Sequence, residues 1–160
     1  MKTCVFAGTF DPISKGHEYV VNKCLEIFDR VIVAVGVNVN KKPLFTLEQR
    51  LDIIKTMYKD NERVSVMSFD GMLVDFMKEN DIAFTVRGIR NEEDYKYEDK
   101  MAQYNLDLSK EVTTIFIPTP ASLSYVSSSG IRNIIELKGD YAEFVPESAL
   151  AIVKNLLERK

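Results

Sequence analysis

A loop near the start of the chain carries the residue types best suited to phosphate chemistry. Residues 8–17 follow the apolar run 4–7 and end in His17, the only histidine among 160 residues. A loop that leaves a strand through glycine and turns into a helix presents free backbone N–H groups at the positive helix end, where phosphate binds. An imidazole at this point indicates phosphate chemistry.

Three further polar groups follow later apolar runs: Lys41 with Lys42, Arg87 with Arg90, and the consecutive serines 127–129. A lysine can neutralise reacting phosphates as a compact charge, and the two arginines offer planar forks for bidentate phosphate binding. The serines precede a helical pattern and supply hydroxyl and N–H groups. Together they predict several anion-binding positions.

Missing motifs narrow the chemistry. The chain has no GxGxxG after its first strand, no GxxxxGK[ST], no GxSxG and no second histidine. A dinucleotide dehydrogenase, a P-loop enzyme and a nucleophile activated by histidine are therefore disfavoured. Phosphoryl or nucleotidyl transfer needs little covalent help, because an ionised phosphate is already a nucleophile. His17 can then donate a hydrogen bond to oxygens at the phosphorus centre.

The elements that must position these groups alternate along the chain. Short β-branched runs predict strands at residues 3–7, 31–37, 64–67, 83–86 and 113–117. Helical spacing predicts helices at residues 18–28, 46–58, 72–79, 91–108 and 129–137, with a closing helix from Pro146 to about Leu157. The pattern predicts an α/β fold: a Rossmann-like, doubly wound, five-stranded parallel sheet with helices on both faces. Because ligands bind beyond the carboxyl ends of such strands, all four polar groups should meet there.

Composition bounds the class of protein. The length predicts one domain over residues 1–160, and hydrophobic and charged fractions of 46% and 28% are typical of a globular protein. The net charge of −3 argues against a protein that coats nucleic acid. No apolar run suits a membrane span and no signal-peptide layout is present, so we expect a cytoplasmic location. Cys4 and Cys24 lack metal-site spacing and are expected to be buried thiols.

Structural roles compete with these functional interpretations. Arg87 and Arg90 can pair with the acidic run 92–94, which suits the first turn of a helix capped by Asn91. The two lysines can form a solvated turn, and the serines can simply cap a helix. Glu98 can reach the same end of the sheet. An apolar stripe suits packing or a subunit contact, and it comprises Met101, Tyr104 and Leu108.

Four segments together resemble the phosphopantetheine adenylyltransferase family of the HxGH nucleotidyltransferase superfamily. They read GTFDP with Gly16 and His17, KKPLFT at 41–46, RGIR at 87–90 followed by DYKYE at 94–98, and VSSSGIR at 126–132. The resemblance covers nearly the whole chain in order. The first segment indicates only the superfamily, whereas RGIR and KKPLFT make the assignment specific.

The resemblance implies that ATP and 4′-phosphopantetheine give dephospho-coenzyme A and pyrophosphate, with Mg²⁺ assisting and with a homo-hexamer as the assembly. Coenzyme A itself is a further candidate ligand. The acceptor phosphate would attack the α-phosphorus of ATP in line, without a covalent enzyme intermediate. No nucleic acid or membrane partner is implied.

Residue roles carry over by position in the same way. His17 matches the residue that stabilises the transition state, and Lys41 and Arg90 are the other candidate catalytic groups. The acceptor-binding positions are Thr9, Lys41, Leu73 and Arg87. The positions around ATP are Thr9, Phe10, His17, Gly88, Ile89, Arg90, Glu98, Leu123, Ser124, Tyr125, Val126, Ser127, Ser128 and Ser129.

Two residues depart from the pattern of the family. Ser14 stands at the first histidine of HxGH, where the family often has another polar residue, and Leu123 stands where relatives commonly have an aromatic residue. Two other functions stay open at this point. One is an adenylyltransferase with a mononucleotide acceptor, and the other is a nucleotide-binding sensor without catalysis.

Overall fold

The strands and helices occur in the order that the sequence predicts. A computed structural model describes residues 1–37 and 42–159. The strands are β1 Thr3–Gly8, β2 Arg30–Gly36, β3 Val64–Phe69, β4 Phe84–Ile89 and β5 Thr113–Pro118. The helices are α1 Lys15–Ile27, α2 Leu47–Met57, α3 Leu73–Glu79, α4 Glu92–Leu108, α5 Ser128–Glu136 and α6 Glu147–Glu158. A short 3₁₀ helix at Ala142–Phe144 has no counterpart in the prediction.

The sheet is parallel throughout and confirms the predicted Rossmann-like architecture. Its strand order is β3-β2-β1-β4-β5. β1 pairs with β2 on one side and with β4 on the other, with Cys4 opposite Phe84 and Phe6 opposite Val86. The chain thus winds outward from β1 in one direction and then in the other. The β1–β4 junction is the point where ligands bind in such sheets.

Successive residues of β1 serve the two faces of the sheet. Cys4 and Phe6 belong to the larger core, which α1, α2, α5 and α6 cover. Val5 and Ala7 belong to a smaller core with α3. Because side chains alternate along a strand, a strand buried on both faces reads as continuously apolar. Both Cys4 and Cys24 are fully buried, as expected.

The two largest shifts of an element boundary from the prediction, three residues each, concern polar residues of interest. Helix α1 begins at Lys15 rather than at residue 18, because the Ser14 side chain caps it. Strand β4 continues to Ile89, because Arg87 pairs with Phe116 and Gly88 with Ile117 on β5. Arg87, Gly88 and Ile89 therefore form the end of the strand, whereas the sequence predicted that they follow it.

Arg63 ties the start of β3 to the end of α1. Its Nη2 donates to the carbonyl oxygens of Leu25 and Phe28, the latter at 2.8 Å, and its Nε donates to that of Asp29 at 3.0 Å. These bonds satisfy carbonyls that the end of a helix leaves without partners. Across the described ranges, no helix is long and apolar enough to cross a membrane.

Candidate active site

A cleft of about 390 Å³ opens at the carboxyl ends of β1 and β4. Gly8 from the end of β1 and Arg87 and Gly88 from the end of β4 line it, with the start of α1 beside them. This is the β1–β4 junction at which the strand order reverses. The sheet topology therefore brings the predicted polar groups into one site.

The turn after β1 adopts an unusual backbone conformation. Phe10 has a φ of 49°, in the left-handed region that residues with a Cβ rarely adopt. Its ring is buried, lies edge-on to Phe6 and His17 at centroid distances of 5.4 and 5.0 Å, and sits over Gly8. A Cβ on Gly8 would approach that ring to 3.1 Å. The glycine thus lets the Phe10 ring fold back beneath His17.

Hydrogen bonds at the start of α1 orient the His17 imidazole. The His17 N–H donates to Ser14 Oγ at 3.3 Å, and the Ser14 N–H donates to His17 Nδ1 at 3.0 Å. The two residues form a reciprocal capping box. Because Nδ1 accepts a backbone proton, the neutral ring carries its own proton on Nε2. Nε2 is therefore the donor that His17 can offer in the cleft.

The surroundings of His17 keep its ring neutral. Removal from water, together with the positive charges of Arg87 and Arg90, lowers its pKa from the usual 6.5 to about 4. A neutral imidazole can donate from Nε2 without holding a full charge in the cleft. An anion bound beside it would oppose the two arginines and raise this pKa.

Both arginines of the cleft are already held by carboxylates of α4. Arg87 forms a bidentate pair with Glu98, both contacts at 2.8 Å, and its Nη1 also donates to the Ala7 carbonyl oxygen. Arg90 Nε lies 2.8 Å from Asp94 Oδ2. The sequence offered the acidic run 92–94 as partners for both arginines. Arg90 does pair with Asp94 of that run, whereas Arg87 pairs with Glu98, one turn further along α4. The Asn91 side chain caps α4, as expected.

The serine segment closes the cleft from the side of α5. Ser127 caps α5 by accepting from the Gly130 N–H at 3.0 Å, and its Oγ lies 3.2 Å from Ser129 Oγ. Ser128 Oγ donates to the Pro12 carbonyl oxygen at 2.7 Å. The capping role and the cleft position coexist, since all three serines also line the cleft. The first turn of α5 therefore lies beside the loop after β1.

The structure brings most of the predicted residues together, although not all. The predicted residues that line the cleft are Thr9, Phe10, His17, Arg87, Gly88, Arg90, Glu98, Val126, Ser127, Ser128 and Ser129. Ile89 ends β4 just beyond them, and Lys41 lies outside the described residues.

The other predicted residues that the structure describes do not line this cleft. Leu73 begins α3 and packs on the smaller core, and Leu123 packs against the larger one. Ser124 Oγ donates to the Ala121 carbonyl oxygen at 2.9 Å. Tyr125 is 68% exposed and lies edge-on to Phe144. The backbone of this loop nevertheless passes the start of α1, since the Leu123 oxygen lies 4.0 Å from the site of a Cβ on Gly16.

Lys42 lines the cleft, as expected of its polar group, and several lining residues carried no predicted catalytic or binding role: Asp11, Ser14, Arg50, Asp94, Thr119 and Arg132. Asp11 is 2% exposed and accepts from the N–H groups of Leu44 and Phe45 at 2.8 Å each. Arg132 Nη1 donates to the Asp11 carbonyl oxygen at 2.8 Å. Asp11 and Arg132 lie within the GTFDP and VSSSGIR segments, and this position was the signal in the sequence that could have pointed to them. Arg50 lies on α2, four residues after the KKPLFT segment, and the helical pattern around it gave no signal of a role.

The described residues do not form a cage for a metal ion. Among them, no group of three or more His, Cys, Asp or Glu side chains is placed to hold one. The carboxylates of Asp11, Asp94 and Glu98 each accept hydrogen bonds from protein donors. A divalent cation in this cleft would need ligands from a bound substrate.

Comparison with known proteins matches this arrangement to a family over most of the chain. The model of the cytidylyltransferase-like family matches residues 5–134. Phosphopantetheine adenylyltransferase of Flavobacterium psychrophilum is 42% identical over 148 residues, which cover 92% of this chain and 97% of the relative. The enzyme of the same name from Clostridium botulinum strain 657 is 38% identical over 160 residues, or 100% of this chain and 98% of the relative.

The depressed pKa of His17 can be measured directly, because the chain has one histidine and its ring signals need no assignment. We expect a proton NMR titration of the free protein to give a pKa near 4. Between pH 6.5 and this value the unfolded chain binds a proton that the folded chain does not, so stability falls as pH falls through that range. Added pyrophosphate should raise the pKa. A value near 6.5 without ligand would contradict the neutral site.

Gly88 is needed for the close approach of α1 to β4. A Cβ at Gly88 would lie 2.8 Å from Val20 Cγ2, and Val20 is buried on the helix that carries His17. We expect Gly88→Ala to reduce the free energy of unfolding by about 1–3 kcal/mol and to shift the His17 ring signals. The matched variant Gly16→Ala meets no atom closer than 3.5 Å. Urea denaturation should show a smaller loss for it, and equal losses would count against the packing argument.

Proposed function

We propose how the site works from the premise that the chain belongs to the phosphopantetheine adenylyltransferases, within the cytidylyltransferase-like family. Its reaction is the transfer of the adenylyl group of ATP to 4′-phosphopantetheine, which gives dephospho-coenzyme A and pyrophosphate. The observation that carries the mechanism is the cleft in which a neutral imidazole donor stands beside two arginines. Such a site stabilises charge and needs no enzyme nucleophile.

His17 is the group that we assign to the transition state. Its Nε2 proton is directed by the hydrogen bond at Nδ1, and it can donate to an oxygen on the α-phosphorus as negative charge develops there. The acceptor phosphate attacks in line from the side of Thr9 and Arg87, and pyrophosphate leaves on the other side. Phosphate oxygens that approach His17 oppose the charges of the two arginines and raise its pKa.

The arginines and the remaining predicted residues divide between the two substrates. Arg87, Thr9 and Lys41 hold the acceptor phosphate, and Leu73 contacts the pantetheine arm. Arg90, Phe10, Gly88, Ile89, Glu98 and the loop 123–129 surround ATP. The Arg90–Asp94 pair is partly exposed, at 36% and 24%, so it contributes only about 0–1 kcal/mol. A phosphate can therefore replace Asp94 on Arg90 at little cost.

Mg²⁺ fits this proposal as a companion of ATP. Since the described carboxylates of the cleft are committed to protein donors, we assign the ion to phosphate oxygens and give no residue of this chain a ligand role. Coenzyme A, which shares the pantetheine arm, is a further candidate ligand of the same cleft. A cytoplasmic location remains a prediction.

The decisive test is pyrophosphate release in a coupled assay. We expect turnover that requires ATP, Mg²⁺ and 4′-phosphopantetheine together. His17→Ala should fold, bind ATP in calorimetry and lose roughly 10²–10³-fold in kcat, because it removes one donor to the transition state. Unchanged turnover in that variant would refute the role of His17. Turnover only with nicotinate or nicotinamide mononucleotide would favour the alternative acceptor, and ATP binding without pyrophosphate from any acceptor would favour a sensor.

A homo-hexamer is the assembly that we propose, and α4 is the surface that supports it. This helix has 17 residues, none of them buried, and Tyr104 and Leu108 on it are 53% and 60% exposed. Both belong to the apolar stripe that the sequence predicts. A contact with another copy would cover this stripe.

Sedimentation of the purified chain tests the assembly. We expect a particle of six 18.3 kDa chains. The double variant Tyr104→Glu, Leu108→Glu should sediment as a smaller species, because it places charges on the apolar stripe. Leu137→Glu, at an exposed residue just after α5, is the matched control and should keep the assembly. A monomeric wild-type chain would refute the hexamer.

A further inference from the structure

A buried arginine with no role in the reaction above joins two loops beside the cleft. Arg50 lies on α2, and only 4% of it is exposed. Its Nη1 donates to the carbonyl oxygens of Thr9 at 2.8 Å and Gly36 at 3.3 Å, and its Nε donates to that of Phe45 at 3.2 Å. Burying a guanidinium is costly unless its donors are satisfied. A residue chosen for packing alone would be apolar here.

The bond to Thr9 fixes the turn that precedes α1. In a trans peptide, the N–H of Phe10 points away from the Thr9 carbonyl oxygen, and therefore away from Arg50. Among the described residues, the Phe10 N–H finds no hydrogen-bond acceptor. The positive φ of Phe10 costs about 1–2 kcal/mol for a residue with a Cβ. Arg50 helps to hold this strained turn with an N–H free for an anion.

The other two bonds hold the end of β2 and the segment of residues 42–45 that leads into α2. Gly36 ends β2, and Phe45 lies one residue before Thr46, the N-cap of α2. Asp11 adds a second anchor, because its carboxylate accepts from the Leu44 and Phe45 N–H groups. Lys42 and Pro43, within this segment, line the cleft.

We propose that Arg50 is a positioning residue for adenylyl transfer, which sets the spacing between the Thr9–Phe10 turn and the segment of Lys42 where the acceptor phosphate binds. The inference rests on the proposed function. All three hydrogen bonds of Arg50 end on backbone carbonyls, so it acts through these loops rather than on the reacting atoms. Among the described residues, the hydrogen bonds of Arg50 reach neither the end of β4 nor the serine segment, where most of the residues assigned to ATP lie. The effect of Arg50 therefore falls on the acceptor and on turnover more than on ATP.

The negative charge of Asp11 supports this placement. Burial lowers the pKa of the Arg50 guanidinium, and the carboxylate of Asp11 opposes that shift. Asp11 thus accepts hydrogen bonds from two backbone N–H groups of the segment and also stabilises the positive charge of Arg50. Arg50 and Asp11 therefore both link the loop after β1 to the segment before α2, Arg50 as a hydrogen-bond donor and Asp11 as an acceptor.

The test compares Arg50→Gln and Arg50→Lys with the wild-type chain. Arg50→Gln loses the charge and the fork, and we expect the KM for 4′-phosphopantetheine to rise and kcat to fall by roughly tenfold or more each, since small misplacements are costly. Arg50→Lys keeps the positive charge and a donor that can bind one of the carbonyl oxygens, so its changes in KM and kcat should be smaller. Calorimetry should show weaker binding of 4′-phosphopantetheine alone, with ATP affinity within about twofold of wild type.

Arg63→Gln is the matched control, because Arg63 also donates to three backbone carbonyls but lies outside the cleft. It should lower the melting temperature and leave both KM values unchanged. Unchanged acceptor KM in folded Arg50→Gln, an equal rise for both substrates, or the same kinetics in Arg63→Gln would overturn the inference. If Arg50→Gln does not fold, Arg50→Lys is judged by the same criteria.

Thr9→Ala separates this inference from the proposed function. If the wild-type chain does not turn over 4′-phosphopantetheine, or if Thr9→Ala leaves the acceptor KM unchanged, the assignment of the acceptor site fails. If Thr9→Ala raises that KM and Arg50→Gln does not, only the role of Arg50 fails.

Discussion

The pairing of β1 with β4 is the constraint on which the site depends. Because β1 lies at the middle of the sheet, the connections after β1 and β4 leave toward opposite faces, and a cleft remains between them. The start of α1 enters this cleft from one side and the end of β4 forms its floor. The close contact of Gly88 with Val20 keeps the two together. The separation of His17 from Arg87 and Arg90 is therefore set by backbone packing, not by flexible side chains.

Charge is concentrated locally in a chain whose net charge is −3. The cleft gathers Arg87, Arg90 and Arg132, and carboxylates of α4 form ion pairs with the first two. Such pairing keeps the forks ordered before any phosphate arrives, which lowers the entropic cost of binding. The same positive charges suppress protonation of His17 in the free protein. A bound polyphosphate would oppose those charges and so raise the pKa of His17.

Sequence reasoning recovered what depends on local pattern and missed what depends on tertiary contacts. The strands and helices followed from periodicity, and the position of the cleft followed from the rule for parallel sheets. The pairing of Arg87 with Glu98 rather than with the nearer acidic run could not be predicted, because it depends on how α4 lies across β4. Arg50 is a stronger case. It is one arginine in an ordinary amphipathic helix, and its role exists only because α2 packs beside two loops distant in sequence.

Ser14 illustrates why the superfamily pattern allows a residue other than histidine there. The residue before α1 must accept the His17 N–H, and serine is among the best residues for this N-cap position. Its backbone N–H, which any residue except proline can supply, donates to Nδ1 and selects the tautomer with the proton on Nε2. The side chain at this position caps the helix and also lies 3.0 Å from Nδ1, while the backbone N–H orients the imidazole ring. A small polar side chain meets both of these contacts, and neither needs a second imidazole.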